Sequence, residues 1–442
     1  MLSISYRTIL SVALPLMGSS FIQSIVLLTD SAFLSRYSTH DFDAAGNAGL
    51  IYITVFMAVI GFSDGAQILF ARRIGQKKND ALGRIFGTAI VTLFFVALAL
   101  FCMVQFFVPQ WLMSYSKHSD LAVSQSEFIS IRSYALFFGM IAFPIHAFFL
   151  AHGKTWVVLL SALIIATSNI FLDYSMIFGH NGFPTMGLKG AAWASTIADG
   201  LGMLFLVVFL IFSKERKIYG LLKHFSFDWQ SMKERFKIGN PIVFQGVLAL
   251  GIWTVFFTWI EQMGKFELTV SQNIRSIYFL AFVPLWGFAG TTKTYISQYM
   301  GAGKFDELKI IKRRIQFLTL IFMIVVFHGA ILYPEWMINL INPEEAYFHK
   351  SAEILRYIAP SMFLFGFVSV YFQTINGSGN TMVTFVIELI SVLMYIISAY
   401  LLIKVWEMDI FWVWSVEYIY FTTMGGLSML YLRFFNWKKK EI

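Results

Sequence analysis

Charged residues and cysteines are scarce in this chain, and each scarcity excludes a class of protein. Only 13% of its 442 residues are charged and 58% are hydrophobic, whereas a soluble domain carries about 25% charged residues. The composition therefore predicts an integral membrane protein that crosses the bilayer many times. The single cysteine, Cys102, lies in an apolar segment, which excludes an internal disulfide and a thiolate metal site.

The sequence also lacks the residue patterns of catalysis. No cluster of histidine, aspartate or serine falls at one predicted interface, and there is no glycine-rich phosphate loop. We therefore expect neither an enzyme nor a bound cofactor. The first apolar stretch has no basic leader and no small-residue cleavage site, so we interpret it as a retained helix rather than a signal peptide.

What the chain does contain is a series of long apolar segments separated by polar breakers. About 20 apolar residues cross a hydrocarbon core of roughly 30 Å, and on this basis we predict twelve transmembrane helices. Their approximate ranges are 8–35, 46–71, 85–108, 127–151, 155–178, 190–212, 238–263, 269–299, 315–333, 352–377, 382–403 and 410–432.

Basic residues are distributed unevenly between the predicted loops. Most of the 33 Lys and Arg residues lie at the termini and in every second loop, whereas each remaining loop holds a single one. This positive-inside pattern predicts that both termini are cytoplasmic. It also accounts for the net charge of +8, so no nucleic-acid partner is expected. We expect a multi-pass protein of a cell membrane, the bacterial inner membrane, that contacts lipid and functions as a monomer.

The chain repeats itself at an offset of 226 residues. The matched positions are Pro15 and Pro241, Gly61 and Gly287, Gly75 and Gly301, Gly153 and Gly379, and Thr155 and Thr381. Because one repeat holds six predicted spans, an even number, both halves have the same orientation. The predicted fold is all-α: twelve transmembrane helices in two parallel, pseudo-symmetric six-helix bundles. These are an N-lobe of residues 1–212 and a C-lobe of residues 238–442, joined by a cytoplasmic linker, 213–237.

The first predicted helix carries both a carboxylate and a proline. A charge that faces lipid costs several kcal/mol, so Asp30 is expected to face a cavity, water or a partner. The alternative is a helix-end carboxylate at the outer interface, because Ser35 and Arg36 follow soon after. Pro15 removes one helical hydrogen bond and permits a bend. An acid on a bendable first helix favours a transporter over a passive anchor.

Further oxygen-bearing side chains lie on the fifth and sixth predicted helices. Asn169 and Asp173 are four residues apart and so share one helix face. Their oxygens suit Na⁺ or a shared proton, and a structural role is the alternative. Ser195 and Thr196 add hydroxyls after a small-residue stretch that permits close helix contact. Asp199, one turn beyond Ser195, could join such a site or pair with a basic group.

Three acids and one lysine are the functional candidates in the predicted spans of the second half. Glu261 ends the seventh helix and is expected at the outer aqueous mouth. Lys293 is the clearest intramembrane lysine, and either Glu388 or Glu417 could pair with it, in a structural or a functional role. Whether the C-lobe has its own coupling acid is therefore left open. Glu261 and Lys293 remain candidates for lining a cavity or for coupling.

Several of these segments resemble the MATE family, the multidrug and toxic compound extrusion antiporters. In the first half they are LLTDSAFLS, GFSDGAQILFARRIGQ, SNIFLDYSMIFG and GLKGAAWASTIADG; in the second half they are IEQMGKFELTVSQNIRSIYFLAFVP, GFAGTTKTYISQYMGAGK and QTINGSGNT. The resemblance covers nearly the whole chain, in order. It implies two six-helix bundles around a central cavity and alternating access driven by inward Na⁺ or H⁺ flow. It also implies small organic substrates, often cationic and amphipathic.

The resemblance also assigns roles to residues. Asp30 matches the aspartate of the family's N-lobe cation or proton site, and Asn169 and Asp173 match its asparagine and aspartate. The family usually has threonine where Ser195 stands, so whether Ser195 or Thr196 faces the site stays open, as does Na⁺ against H⁺. Apart from such a Na⁺, no metal is expected.

The alternative function is a flippase of the same superfamily, one that moves lipid-linked oligosaccharides or lipid precursors. Such a protein handles pyrophosphate and needs Arg and Lys in its cavity, whereas the predicted spans here hold more acids than bases. The balance of charge favours a cationic cargo.

Overall fold

The computed structural model describes residues 1–115, 119–223, 229–342, 344–440 and 442, and every regular element in those ranges is helical. In chain order the α-helices are α1 (Tyr6–Tyr37), α2 (Thr39–Gly75), α3 (Asn79–Phe106), α4 (Val108–Tyr115), α5 (Ser119–Arg132), α6 (Ala135–His152), α7 (Trp156–Phe178), α8 (Gly187–Phe212), α9 (Lys214–Tyr219), α10 (Trp229–Met263), α11 (Lys265–Gly301), α12 (Leu308–Phe327), α13 (Gly329–Leu332), α14 (Pro334–Ile341), α15 (Glu345–Gly377), α16 (Thr381–Tyr400), α17 (Ile410–Val413) and α18 (Val416–Phe434). A π-helical segment, Leu401–Val405, continues α16, and a 3-10 turn, Trp437–Lys439, follows α18.

A helix lies at each of the twelve predicted spans. Among the described residues, ten helices are long and apolar enough to cross a membrane. The other two spans are α12, which begins with several Lys and Arg residues, and α18, which carries Arg433 in its last turn. Charges at helix ends lower the hydropathy of a span but still permit it, because long basic side chains reach the interface.

The predicted span 127–151 is not one continuous helix, because α5 ends at Arg132 and α6 begins at Ala135. Side chains supply the hydrogen bonds at this break. The Gln105 amide on α3 donates to the Ser130 carbonyl and to the Ser133 hydroxyl, both at 3.0 Å. The prediction missed this break because no Pro or Gly marks it and the partner residue is remote in sequence.

Two repeat-matched glycines have the same local conformation. Gly153 follows α6 with φ 75°, and Gly379 follows α15 with φ 84°. Both angles lie in the left-handed region, which glycine adopts without the steric cost of a Cβ atom. The 226-residue repeat therefore includes a shared way of ending one helix and starting the next.

The chain divides into two compact units. The first unit contains Met1 and Leu14–Val243, and the second contains Leu2–Ala13 and Phe244–Ile442. The division therefore falls within α1 and α10, close to Pro15 and Pro241. The predicted lobes 1–212 and 238–442 stay a prediction, and residues 224–228 of the predicted linker lie outside the described residues.

Hydrogen bonds explain why the start of the chain belongs to the second unit. The Leu2 amide donates to Gln298 Oε1 at 2.9 Å, and the Leu2 carbonyl accepts from the Tyr299 hydroxyl at 2.8 Å. The Ser3 carbonyl accepts from Tyr295 on the same helix, also at 2.8 Å. These bonds hold the N-terminal residues against α11.

The start of α10 is held in the first unit by packing on α2 and α3. The Arg235 guanidinium is buried and donates to the Ile85 carbonyl of α3. A Cβ atom on Gly65 would lie 3.1 Å from the Gly239 Cα atom, so the two backbones are in close contact. Small residues are what permit such an approach between helices in a membrane.

Candidate ion-coupling site

Two carboxyl groups of the first unit meet between α1 and α7. Asp173 is fully buried and Asp30 is half-buried, and their side chains lie close enough to share a hydrogen bond. Asn169, one turn before Asp173 on α7, is 1% exposed. The three residues therefore form one buried group of polar side chains, which we call the acidic cluster.

The oxygens of this cluster lack hydrogen-bond donors. Asp30 Oδ1, Asn169 Oδ1 and both carboxylate oxygens of Asp173 are buried, and no group in the described part of the chain donates to them. A buried polar oxygen without a donor costs about 1–3 kcal/mol, and a charged one costs more. Such oxygens are stabilised by a proton held between the carboxyls or by a bound cation.

Close packing of α7 and α8 brings a hydroxyl to the cluster. A Cβ atom on Gly190 of α8 would lie 2.7 Å from the Met176 carbonyl oxygen on α7, so only glycine fits there. The Asn169 amide then donates to Ser195 Oγ at 3.2 Å. This bond joins Asn169 to α8, while the buried Asn169 oxygen has no donor among the described residues.

Thr196 has different neighbours from Ser195. Its hydroxyl donates to the Ala192 carbonyl at 2.7 Å and lies 3.4 Å from Arg132 Nη1. Consecutive residues on a helix point in directions about 100° apart. Ser195 is therefore the hydroxyl beside Asn169, and Thr196 faces the end of α5.

Asp199 pairs with a basic group, which is one of the two alternatives that the sequence left open. Its Oδ2 atom lies 3.0 Å from Arg132 Nη1. The Arg132 guanidinium also lies 4.6 Å from the centre of the Tyr52 ring and interacts electrostatically with Asp30. Sequence reasoning gave Arg132 no role, although a basic residue inside a predicted span is itself a functional signal.

The remaining candidates lie apart from the acidic cluster. Glu261 is exposed at the end of α10, and Lys293 is 7% exposed on α11, both in the second unit. Glu388 and Glu417 accept hydrogen bonds from Tyr420 and Tyr395, so the predicted pairing with Lys293 is not what holds them.

Pro15 lies inside α1, which continues through it from Tyr6 to Tyr37. The Pro15 carbonyl accepts a hydrogen bond from the Ser19 hydroxyl at 2.9 Å. Proline itself donates no backbone hydrogen bond, so this turn of α1 is less restrained than the turns around it.

Taken together, a many-span helical fold with a donor-poor acidic cluster inside it is typical of membrane transporters that use ions. The MatE family model matches residues 15–175 and 241–401, so the chain belongs to the MatE family. The two matched segments begin 226 residues apart, which is the offset of the repeat. As a member of a transporter family the protein is not an enzyme, as the sequence predicts.

Comparisons with individual proteins agree with this family. The chain is 25% identical to the probable multidrug resistance protein NorM of Thermotoga maritima, over 99% of this chain and 94% of that protein. It is 21% identical to the probable multidrug resistance protein YoeA of Bacillus subtilis, over 99% and 95%. A crystal structure of MATE in complex with MaL6 has a TM-score of 0.88 at 16% identity, covering 97% of this chain and 95% of that one. The predicted all-α fold of twelve transmembrane helices is confirmed.

Proposed function

We propose that the protein is a cation-coupled antiporter that exports small organic compounds, cationic and amphipathic ones in particular, by alternating access. The observation that carries this proposal is the set of buried oxygens on Asp30, Asn169 and Asp173 that lack a donor. The names of the similar NorM and YoeA proteins support the choice of cargo. The coupling ion is H⁺ or Na⁺, because carboxylate, amide and hydroxyl oxygens serve either.

Coupling follows from the charge of the acidic cluster. Two carboxylates close together are costly when both are ionised, so the cluster binds a proton or a cation when no substrate is present. A ligand shifts a conformational equilibrium only through different affinities for the two states. Release of the ion on the inner side is therefore linked to a rearrangement of α1, which Pro15 permits, and α1 transmits this change to the lobes.

The proposal also covers the location, the oligomeric state and the orientation of the protein. It acts as a monomer in a cell membrane, the bacterial inner membrane, with lipid around it and with both termini cytoplasmic. The flippase alternative has less support, because Arg132 is paired with Asp199 rather than available to a pyrophosphate group.

The test is efflux of a fluorescent organic cation from proteoliposomes, with Na⁺ and pH gradients imposed separately. Asp30→Asn and Asp173→Asn should each reduce gradient-driven efflux to the level of protein-free liposomes, because an amide carries no negative charge for a proton or Na⁺ to neutralise. The matched control is Glu261→Gln, which removes an exposed acid and should leave efflux close to that of the unmodified protein.

Two results would contradict the proposal. One is normal gradient-driven efflux by both Asn variants when they are folded and inserted. The other is a protein that moves a pyrophosphate-linked lipid but drives no organic cation with either gradient, which would favour the flippase.

A further inference from the structure

Two buried glutamates in the second unit form reciprocal pairs with tyrosines. Glu388 on α16 is 3% exposed and accepts from the Tyr420 hydroxyl of α18 at 2.5 Å. Glu417 on α18 is 1% exposed and accepts from the Tyr395 hydroxyl of α16 at 3.1 Å. Each helix thus contributes one acid and one phenol. We call these four residues the tyrosine-capped acid pair.

The two halves of this group are in contact through their rings. The Tyr395 and Tyr420 ring centres are 5.9 Å apart at an interplanar angle of 88°. On the side of α10, the Phe256 ring lies 5.3 Å from Tyr395. The carboxyls are therefore held inside an aromatic shell rather than at an aqueous surface.

Helix α11 contributes a third tyrosine beside the tyrosine-capped acid pair, and α15 holds the hydroxyl of that tyrosine. Tyr278 on α11 interacts with Glu417, and its hydroxyl bonds to Ser361 of α15 at 2.8 Å. Tyr418 on α18 donates to the Tyr357 carbonyl of α15. The titratable side chains that interact with the two carboxyls are therefore those of Tyr278, Tyr395 and Tyr420.

Three basic side chains on the surrounding helices have other partners. The Arg275 guanidinium of α11 lies 4.7 Å from the centre of the Phe257 ring on α10. On α15, Arg356 donates to the Ile331 carbonyl, and Lys350 pairs with Glu353 and Asp409. In the part of the chain that the structure describes, neither Glu388 nor Glu417 has a Lys or Arg in ion-pair range.

A buried carboxylate without a cationic partner is unfavourable. Moving an isolated charge out of water costs many kcal/mol, and in practice the group becomes neutral instead. A phenol donates one hydrogen bond, which orients the acid but does not neutralise it. The arrangement therefore suits a carboxyl group that holds a proton while it is buried and can lose it when water arrives.

We propose that the tyrosine-capped acid pair is a second proton-binding site, in which Glu388 and Glu417 each take one proton from water and return it to water. Its ligand is the proton rather than Na⁺, because each acid accepts from a phenol and lies among aromatic rings. The proposal does not depend on the acidic cluster of the first unit, which has no tyrosine cap.

Infrared difference spectroscopy of the purified, lipid-reconstituted full chain tests this site. The Asp30→Asn/Asp173→Asn protein is used, so that the acidic cluster contributes no carboxyl signal and no efflux activity is needed. We expect carbonyl bands of protonated carboxyl groups that titrate with pH. One band should be lost in Glu388→Gln and another in Glu417→Gln, while Glu261→Gln, at an exposed acid, should leave both unchanged.

Tyr420→Phe and Tyr395→Phe provide a second measurement that leaves the acids in place. Each substitution removes one phenol donor, so the band of the facing carboxyl should shift in frequency while the other band stays. If neither Gln substitution removes a titrating band, the proposal is overturned. A Phe substitution that leaves the band of its facing carboxyl unshifted also counts against it.

Discussion

At the scale of single residues, Asn169 links the acidic cluster to α8. Its nitrogen donates to Ser195 of α8, and its buried oxygen has no donor among the described residues. The Ser195 hydroxyl therefore acts on the cluster through Asn169.

This difference between neighbouring hydroxyls predicts different outcomes for two substitutions. Ser195→Ala leaves the Asn169 amide without its acceptor, at a cost of about 1 kcal/mol, and should weaken binding of the coupling ion by about fivefold. Thr196→Ala is the matched control and should change ion affinity little, because Thr196 bonds to its own helix.

The measurement is the half-saturating concentration of Na⁺ or H⁺ for efflux in proteoliposomes. An equal effect of the two substitutions, or a larger one for Thr196→Ala, would show that the Ser195–Asn169 bond does not position the cluster.

At the scale of helices, α1 and α10 combine two features. Each has an internal proline, Pro15 or Pro241, and each passes from one compact unit to the other within a few residues of it. Proline leaves one helical hydrogen bond unmade and allows bending there. The two prolines therefore lie close to where the backbone passes from one unit to the other.

We predict that Pro15→Ala stiffens α1 and impairs transport without harming folding. Alanine restores a backbone donor and is the better helix former by about 3 kcal/mol, so thermal stability should be unchanged or higher while coupled efflux falls severalfold. Pro334→Ala is the control. Pro334 begins α14, where the first-turn N–H has no helical partner, so its loss should affect neither property.

Thermal unfolding in detergent and efflux in proteoliposomes, measured on the same preparations, check this prediction. A Pro15→Ala protein that is more stable and transports at the normal rate would mean that bending of α1 is not needed.

At the scale of the whole molecule, ion pairs show which loops lie at the same end of a unit. Lys154 pairs with Glu215, and Arg73 lies 3.8 Å from Glu234, so three loops of the predicted cytoplasmic side meet. At the opposite end of the first unit, Lys189 pairs with Glu127 at 3.0 Å. Loops separated by two spans therefore meet at the same end of the unit, as the predicted topology requires.

Labelling of introduced cysteines tests which end is cytoplasmic. After Cys102 is replaced by Ser, a cysteine at Lys217 should react with a membrane-impermeant maleimide only in opened cells. A cysteine at Lys265, the first residue of α11, should react in intact cells. The same protein with no cysteine is the control for background labelling. The reverse pattern would overturn the predicted orientation and, with it, the direction of export.

Much of this architecture is determined by the sequence itself, because the relevant signals are local or periodic. Hydropathy over windows of about 20 residues reports a span directly, and the offset between Pro15 and Pro241 reports the repeat. The four-residue spacing of Asn169 and Asp173 places them on one helix face without any knowledge of packing. The break at Ser133 escaped prediction, because its stabilising partner, Gln105, lies on another helix.

Only the tertiary structure decided which side chains meet. Asp30 and Asp173 are far apart in the chain, and their contact depends on how α1 packs on α7. The choice of Ser195 over Thr196 depends on the rotation of α8, which the Gly190 contact with α7 sets. The same holds for Arg132 beside Asp199 and for Glu388 beside Tyr420. Partner choice between helices is a matter of close packing and burial, and neither leaves a periodic signal along the chain.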